Sequence, residues 1–160
     1  MSLRRPRPKG WLSEGSGRKG YGGPREGLAG EPVRAFELIV DLPNRPGELA
    51  AAAGAIGKEN VNIRAFAILG TGTSDEARFI VDDAEAALAA LVSAGYKARR
   101  QEVLSVPASN TPGELAALSD KLSRAGVNIE GGFMAASERD GHFEIIFEVA
   151  DIGAARKALK

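Results

Sequence analysis

From Val33 onward the chain alternates between two hydrophobic rhythms. Phe36, Leu38 and Val40 are separated by Ala35, Glu37 and Ile39, a period of two that predicts a strand. Behind Pro46-Gly47 the period lengthens, with Leu49, Ala53 and Ile56 at helical spacing. Asn62–Leu69 and Ala77–Val81, joined by a turn-rich segment from Gly70 to Asp75, predict a hairpin. A helix led by Asp82-Asp83, where negative charge suits a helix start, then carries Ala87, Leu88 and Leu91. The rhythm recurs after one long extended run, Tyr96–Val106. Leu115, Leu118 and Leu122 mark a helix, and Ile129–Ala136 with His142–Val149 predict a second hairpin, Phe143, Ile145, Phe147 and Val149 sharing a face.

The second half repeats the first in residue identity as well as in rhythm. Asn44-Arg45-Pro46-Gly47-Glu48-Leu49-Ala50-Ala51 corresponds to Asn110-Thr111-Pro112-Gly113-Glu114-Leu115-Ala116-Ala117, and Val61-Asn62-Ile63 to Val127-Asn128-Ile129, at an offset of 66. Farther on, Val81, Asp83 and Leu91 match Val149, Asp151 and Leu159 at an offset of 68, which puts a two-residue insertion in the hairpin around Ser137–Gly141. The expected fold is α+β: two ferredoxin-like βαββαβ modules in tandem, with antiparallel sheets and helices on one face. The boundaries are residues 33–102 for the first module and 103–160 for the second, which lacks its last strand. Tyr96–Val106 is short for two strands and a turn, so one strand is expected to serve both modules, with a seven-strand arrangement as the alternative. Strand segments apolar on both faces, such as Ala65–Leu69, imply that the other face is covered too, by the partner module or by a homodimer.

Composition narrows the chemistry. The 160 residues carry formal net charge zero and no cysteine, which excludes disulfides, thiolate zinc sites and thiol nucleophiles. Residues 1–32 hold seven Lys/Arg against three Asp/Glu, with eight Gly and four Pro, and read as a disordered basic tail. The remainder, fourteen against eighteen, is acidic and argues against a nucleic-acid partner. No apolar run reaches the roughly 18–20 residues of a membrane span, and no signal peptide is evident, so a cytoplasmic protein is expected. No catalytic constellation stands out. The sole histidine, His142, has no counterpart in the first module, and Gly70-Thr71-Gly72-Thr73 lacks the ending of a phosphate loop. No cofactor, no metal and no catalytic residue is expected.

The repeated Asn-x-Pro-Gly-Glu-Leu followed by Val-Asn-Ile resembles the ACT domains, small amino-acid-binding regulatory modules. The resemblance covers about residues 33–160 and is greatest to free-standing tandem ACT proteins. It implies an allosteric, non-catalytic sensor of an amino acid, forming a homodimer and acting on a metabolic enzyme. Ligand contacts would come from the loop-to-helix turn and the facing strand at an inter-domain interface. Those residues are Asn44, Arg45, Pro46, Gly47, Asn62 and Ile63 in the first module, and Asn110, Thr111, Gly113 and Asn128 in the second. The chemistry fits: a helix start offers unpaired N–H groups to a carboxylate, and asparagine offers both a carbonyl and an NH₂. Some family members carry a histidine two residues before the loop asparagine. Here Leu42 and Ala108 stand there, which counts against a hydrophilic ligand. Thr111-Pro112-Gly113-Glu114 fits a capping box, whereas Arg45 has no acceptor, so the first module is expected to supply the carboxylate site and the second to support it. The rival readings are a partner-binding regulatory subunit of an amino-acid biosynthetic enzyme with no ligand of its own, and a transcription-linked regulator using the basic tail.

Overall fold

The alternating segments become one continuous sheet in the computed structural model, which describes residues 30–70, 74–136 and 142–160. In chain order the elements are β1 (Val33–Pro43), α1 (Glu48–Lys58), β2 (Ile63–Gly70), β3 (Ser74–Val81), α2 (Ala84–Ser93), β4 (Lys97–Ser109), α3 (Glu114–Arg124), β5 (Ile129–Ala136), β6 (His142–Val149) and α4 (Ile152–Ala158). The six strands lie in the order β2-β3-β1-β4-β6-β5, each neighbour antiparallel to the next. Exchanging β1 with β4, β3 with β6 and β2 with β5 reproduces that order. The registers agree with this local two-fold: Leu38 faces Phe79 in the first module, and Leu104 faces Phe147 in the second.

The expected shared strand is β4. Its residues 97–105 pair with β1, and its residues 104–109 pair with β6. The place beside β4 where a closing strand of the second module would lie is taken by the start of β1. Val33 to Phe36, the first turn of pleat in β1, lie opposite Ser105 to Glu102. The pair Phe36–Glu102 sits on the local two-fold, so each long strand opens its own module and closes the other. Residues 30–32 extend this join. The Pro32 carbonyl accepts a hydrogen bond from Arg156 Nε at 3.1 Å, and the Glu31 carboxylate lies 3.9 Å from Arg156 and 4.0 Å from Lys160. The remainder of the predicted tail and the Ser137–Gly141 hairpin lie outside the described residues. The offset changes from 66 to 68 between Ala136 and His142.

The helices cover one face of the sheet over two cores. Leu38, Val40 and Leu42 of β1 pack with Phe79, Ile56 of α1 and Leu91 of α2. Leu104 and Val106 of β4 pack with Phe147, Leu122 of α3 and Ile152 of α4. Each such fully buried aliphatic chain stabilises the fold by about 1.5–3 kcal/mol. The helices begin as the acidic residues suggest: Asp83 accepts from Glu85 N–H and Ala86 N–H, and Asp151 from Ala154 N–H.

The other face is covered from within the chain. The right-handed twist of the strands accumulates until β2 and β5, the outermost two, approach each other. The enclosed concave face buries Ala65, Ile80, Val103, Ala135 and Ile146, with Ala35 and Phe133 packed against them. Packing of one module on the other supplies a cover of the kind expected for this face. Among the described residues no helix is long and apolar enough to cross a membrane.

Candidate functional site

The two loop-to-helix turns are built alike. Arg45 N–H donates to the Pro43 carbonyl at 2.8 Å and Glu48 N–H to the Arg45 carbonyl at 3.4 Å; the equivalent bonds of Thr111 and Glu114 are 2.8 and 3.3 Å. Each helix is then entered through a glycine in the left-handed region, Gly47 at φ 95° and Gly113 at φ 91°. Only glycine adopts that conformation without steric cost, which explains the repeated Pro-Gly.

The expected capping box does not form. Neither helix start receives a side-chain cap. Gly113 occupies the cap position itself, leaving Thr111 two residues upstream and Glu114 in the first helical position, where the reciprocal bonds of a capping box cannot close. The distinction drawn between the modules from that pattern therefore falls, because both helix starts present the same backbone.

What differs is the surroundings. In the first module the exposed Arg45 guanidinium turns onto Glu48 Oε1 at 2.6 Å, and Tyr96 Oη lies 3.3 Å from Glu48 Oε2. The adjoining cavity, about 450 Å³, reaches toward the α2–β4 turn and carries charges of both signs from Asp41, Arg45, Glu48 and Lys97. In the second module a cavity of about 690 Å³ is lined by Asn110, Thr111 and Gly113 at one end and by Leu115, Met134 and Phe143 at the other. A groove of about 280 Å³ between α3 and β5 shares Leu115 and Met134 with it and runs on past Gly132, Ile145 and Phe147. Gly132 faces Phe147 as Phe66 faces Phe79, so in the first module Phe66 stands where the groove would open.

The structure brings Asn110, Thr111 and Gly113 together but leaves Asn128 apart from them. Asn128 and Asn62 follow α3 and α1, whereas Asn110 and Asn44 precede those helices. An 11-residue helix rises about 16 Å, so within one chain the two asparagines of each motif lie at opposite ends of the sheet. Asn62 and Asn128 are exposed, and the Asn62 carbonyl accepts Asp82 N–H at 3.2 Å. Pro46 is exposed in the turn, and Ile63 packs against the first core. Leu42 and Ala108 are buried beneath the helices. His142 is half-buried at the start of β6, and among the described residues no cluster of His, Asp and Glu could hold a metal ion.

Sequence reasoning missed a polar cluster on the concave face. Arg78 of β3 bonds Glu76 through Nε at 2.9 Å and Nη2 at 2.7 Å, pairs with Glu148 of β6, and reaches Glu37 of β1 at 3.4 Å. Gln101 of β4 donates to Glu148 Oε2 at 3.3 Å. Nearby, Arg64 of β2 pairs with Glu144 at 2.7 Å, which also accepts from Ser105 Oγ at 3.0 Å. Burial, followed by the charge of Glu148, raises the Glu37 carboxyl from its usual 4.5 to about 7. The available signals were faint: a lone acid between Ala35 and Ile39, and Gly131, whose missing Cβ would lie 2.5 Å from Glu148 Oε1.

Residues 36–92, which span most of β1 through α2, match the ACT domain family. The whole fold resembles protein BT0572 from Bacteroides thetaiotaomicron, with 25% identity, a TM-score of 0.73, and 80% of this chain and 88% of that one covered. It also resembles the regulatory subunits of aspartate kinase from Thermus thermophilus and Thermus flavus, each 19% identical, with TM-scores of 0.60 and 0.57 over 82% of this chain and 95% of theirs. No curated protein matches the sequence.

Proposed function

We propose that this chain, whose residues 36–92 match the ACT domain family, is a non-catalytic cytoplasmic regulator that binds an amino acid with an apolar side chain at the turn of its second module. The observation carrying this reading is the meeting of two unlike surfaces at Leu115 and Met134, a polar turn on one side and an apolar groove on the other. An α-carboxylate suits the unpaired N–H groups and positive dipole of the α3 start. The Asn110 carboxamide and Thr111 hydroxyl supply acceptors for the ammonium. The side chain then lies against Met134, Phe143 and Phe147, in the manner of small-molecule sites that are apolar with a few convergent polar groups.

A homodimer completes the site in this reading. Leu115 and Met134 are 49% and 62% exposed beside β5, an outer strand of the sheet. Antiparallel pairing of β5 with β5 of a second copy reverses strand direction, so the copy's start of β5 arrives beside this chain's helix start. That would carry the second copy's equivalent of Asn128 to Asn110, a meeting one chain alone cannot make.

Thermal denaturation of the purified protein against each of the twenty amino acids tests the proposal. At about 100 times its dissociation constant a ligand stabilises by about 2.7 kcal/mol, a rise of several degrees. Apolar amino acids are expected to produce the rise; a rise with charged ones alone would overturn the assignment of the groove. A second reading is favoured by Phe66 and Ile68, exposed on β2 at the other outer edge: a regulatory subunit that docks on an enzyme without a ligand of its own. The likeness in length and fold to aspartate kinase regulatory subunits supports it. No shift with any amino acid, together with co-purification of an enzyme from cell extract, would favour this alternative.

A further inference from the structure

Where the concave faces of the two modules meet, the sheet brings three carboxylates to one guanidinium. Glu37 comes from β1, Glu76 and Arg78 from β3, and Glu148 from β6. Arg78 directs Nε and Nη2 to Glu76 and its shortest contact to Glu148, leaving Glu37 with the 3.4 Å contact. Glu37 is 0% exposed, and its Oε2 has no hydrogen-bond partner. Of the remaining charged groups on this face, Arg99 also favours the ionised form of Glu37, less than burial and Glu148 oppose it. Arg99 of β4 donates to Gln101 at 2.8 Å, Gln101 to Glu148, and Arg64 of β2 to Glu144 of β6. Ile80, Val103 and Ile146, buried on the same face, keep water away.

An ionised carboxylate buried with an oxygen lacking a donor, beside a second carboxylate, is disfavoured on both counts, and a proton relieves both. We propose that Glu37 is the proton-binding element of a lock between the modules: protonated, it lets the sheet stay curled on itself, and on losing the proton it sets three carboxylates against one guanidinium and loosens the closure. The lock is independent of the amino-acid reading, because none of its residues lines the second-module cavities.

The direction of the pH effect follows from the raised carboxyl. A group held at about 7 in the folded chain and near 4.5 when unfolded contributes fully below pH 4.5, and its contribution is lost as pH rises through 7. The experiment is a carboxyl-carbon NMR titration of the intact protein between pH 4 and 9, with urea unfolding over the same range for wild type and Glu37→Gln. We expect one glutamate to titrate near 7, absent in Glu37→Gln, and the fall in stability from pH 5 to 8 to flatten in that variant. Above pH 7, amides of β2 and β5 should exchange faster than their intrinsic rates predict, relative to the same amides in Glu37→Gln. Should Glu37→Gln not fold, Glu148→Gln replaces it, and the midpoint near 7 should then move down. A Glu37 midpoint at the ordinary 4.5, or a wild-type pH slope retained in Glu37→Gln, would overturn the proposal.

Discussion

In the first module Phe66 fills the helix-side edge of β2, 57% exposed; in the second, Gly132 holds the same place on β5 and leaves a groove beside α3. The concave positions diverge as well. Under the local two-fold Arg78 corresponds to Ile146, Ile80 to Glu148 and Glu37 to Val103, so these three polar groups have apolar counterparts, while Glu76 keeps an acid, Glu144. The residues that agree set the backbone or fill the helix-side cores: the Pro-Gly turns, Leu38 with Leu104, Phe79 with Phe147, Asp83 with Asp151. Divergence is concentrated where a side chain meets something other than its own module. That contrast is why the second turn, and not the first, is the better candidate for a ligand.

The contrast can be broken at several depths. Leu104→Ala, on the strand common to both modules, should cost about 2–5 kcal/mol and lower one cooperative transition in urea followed by circular dichroism. Two separate transitions would show that the modules unfold independently. Gly132→Ala would place a Cβ 2.6 Å from the Ile146 carbonyl oxygen, an overpacking expected to cost about 1–3 kcal/mol and to weaken binding of an apolar amino acid. Phe66→Ala, at an exposed position, should cost about 1 kcal/mol or less and leave binding unchanged, as read by thermal denaturation and titration calorimetry. Asn110→Ala should weaken the ligand about tenfold, or about 1.4 kcal/mol, while Asn44→Ala should not. Equal losses would return the site to both modules. Asp83→Ala and Asp151→Ala each remove a helix cap, costing about 1 kcal/mol, with Asp83 the costlier because it serves two N–H groups and Asp151 one.

How much of this was legible depends on the range of the interaction. The repeat, the element order and the strand shared between modules follow from period and spacing, which are local. The capping box illustrates the limit of local reading: Thr-x-x-Glu is present, yet the left-handed Gly113 moves the helix start past it. Asn44 and Asn62 look like partners in a motif, and the intervening helix separates them by its full length. Glu37 looks like the solvent-facing member of an alternating strand. It is buried because the sheet curls until its outer strands approach, a property of all six strands together that no single segment declares.

The interleaving of β1 and β4 bears on how the protein could be taken apart. A clone of residues 33–102 would carry off the strand that finishes its neighbour, and one of residues 103–160 would begin inside β4, without the stretch that pairs with most of β1. Neither piece is a portable cassette. Anyone grafting this module onto another scaffold, or swapping repeats between relatives, would have to move the two as a single unit or build a substitute strand for the half left behind.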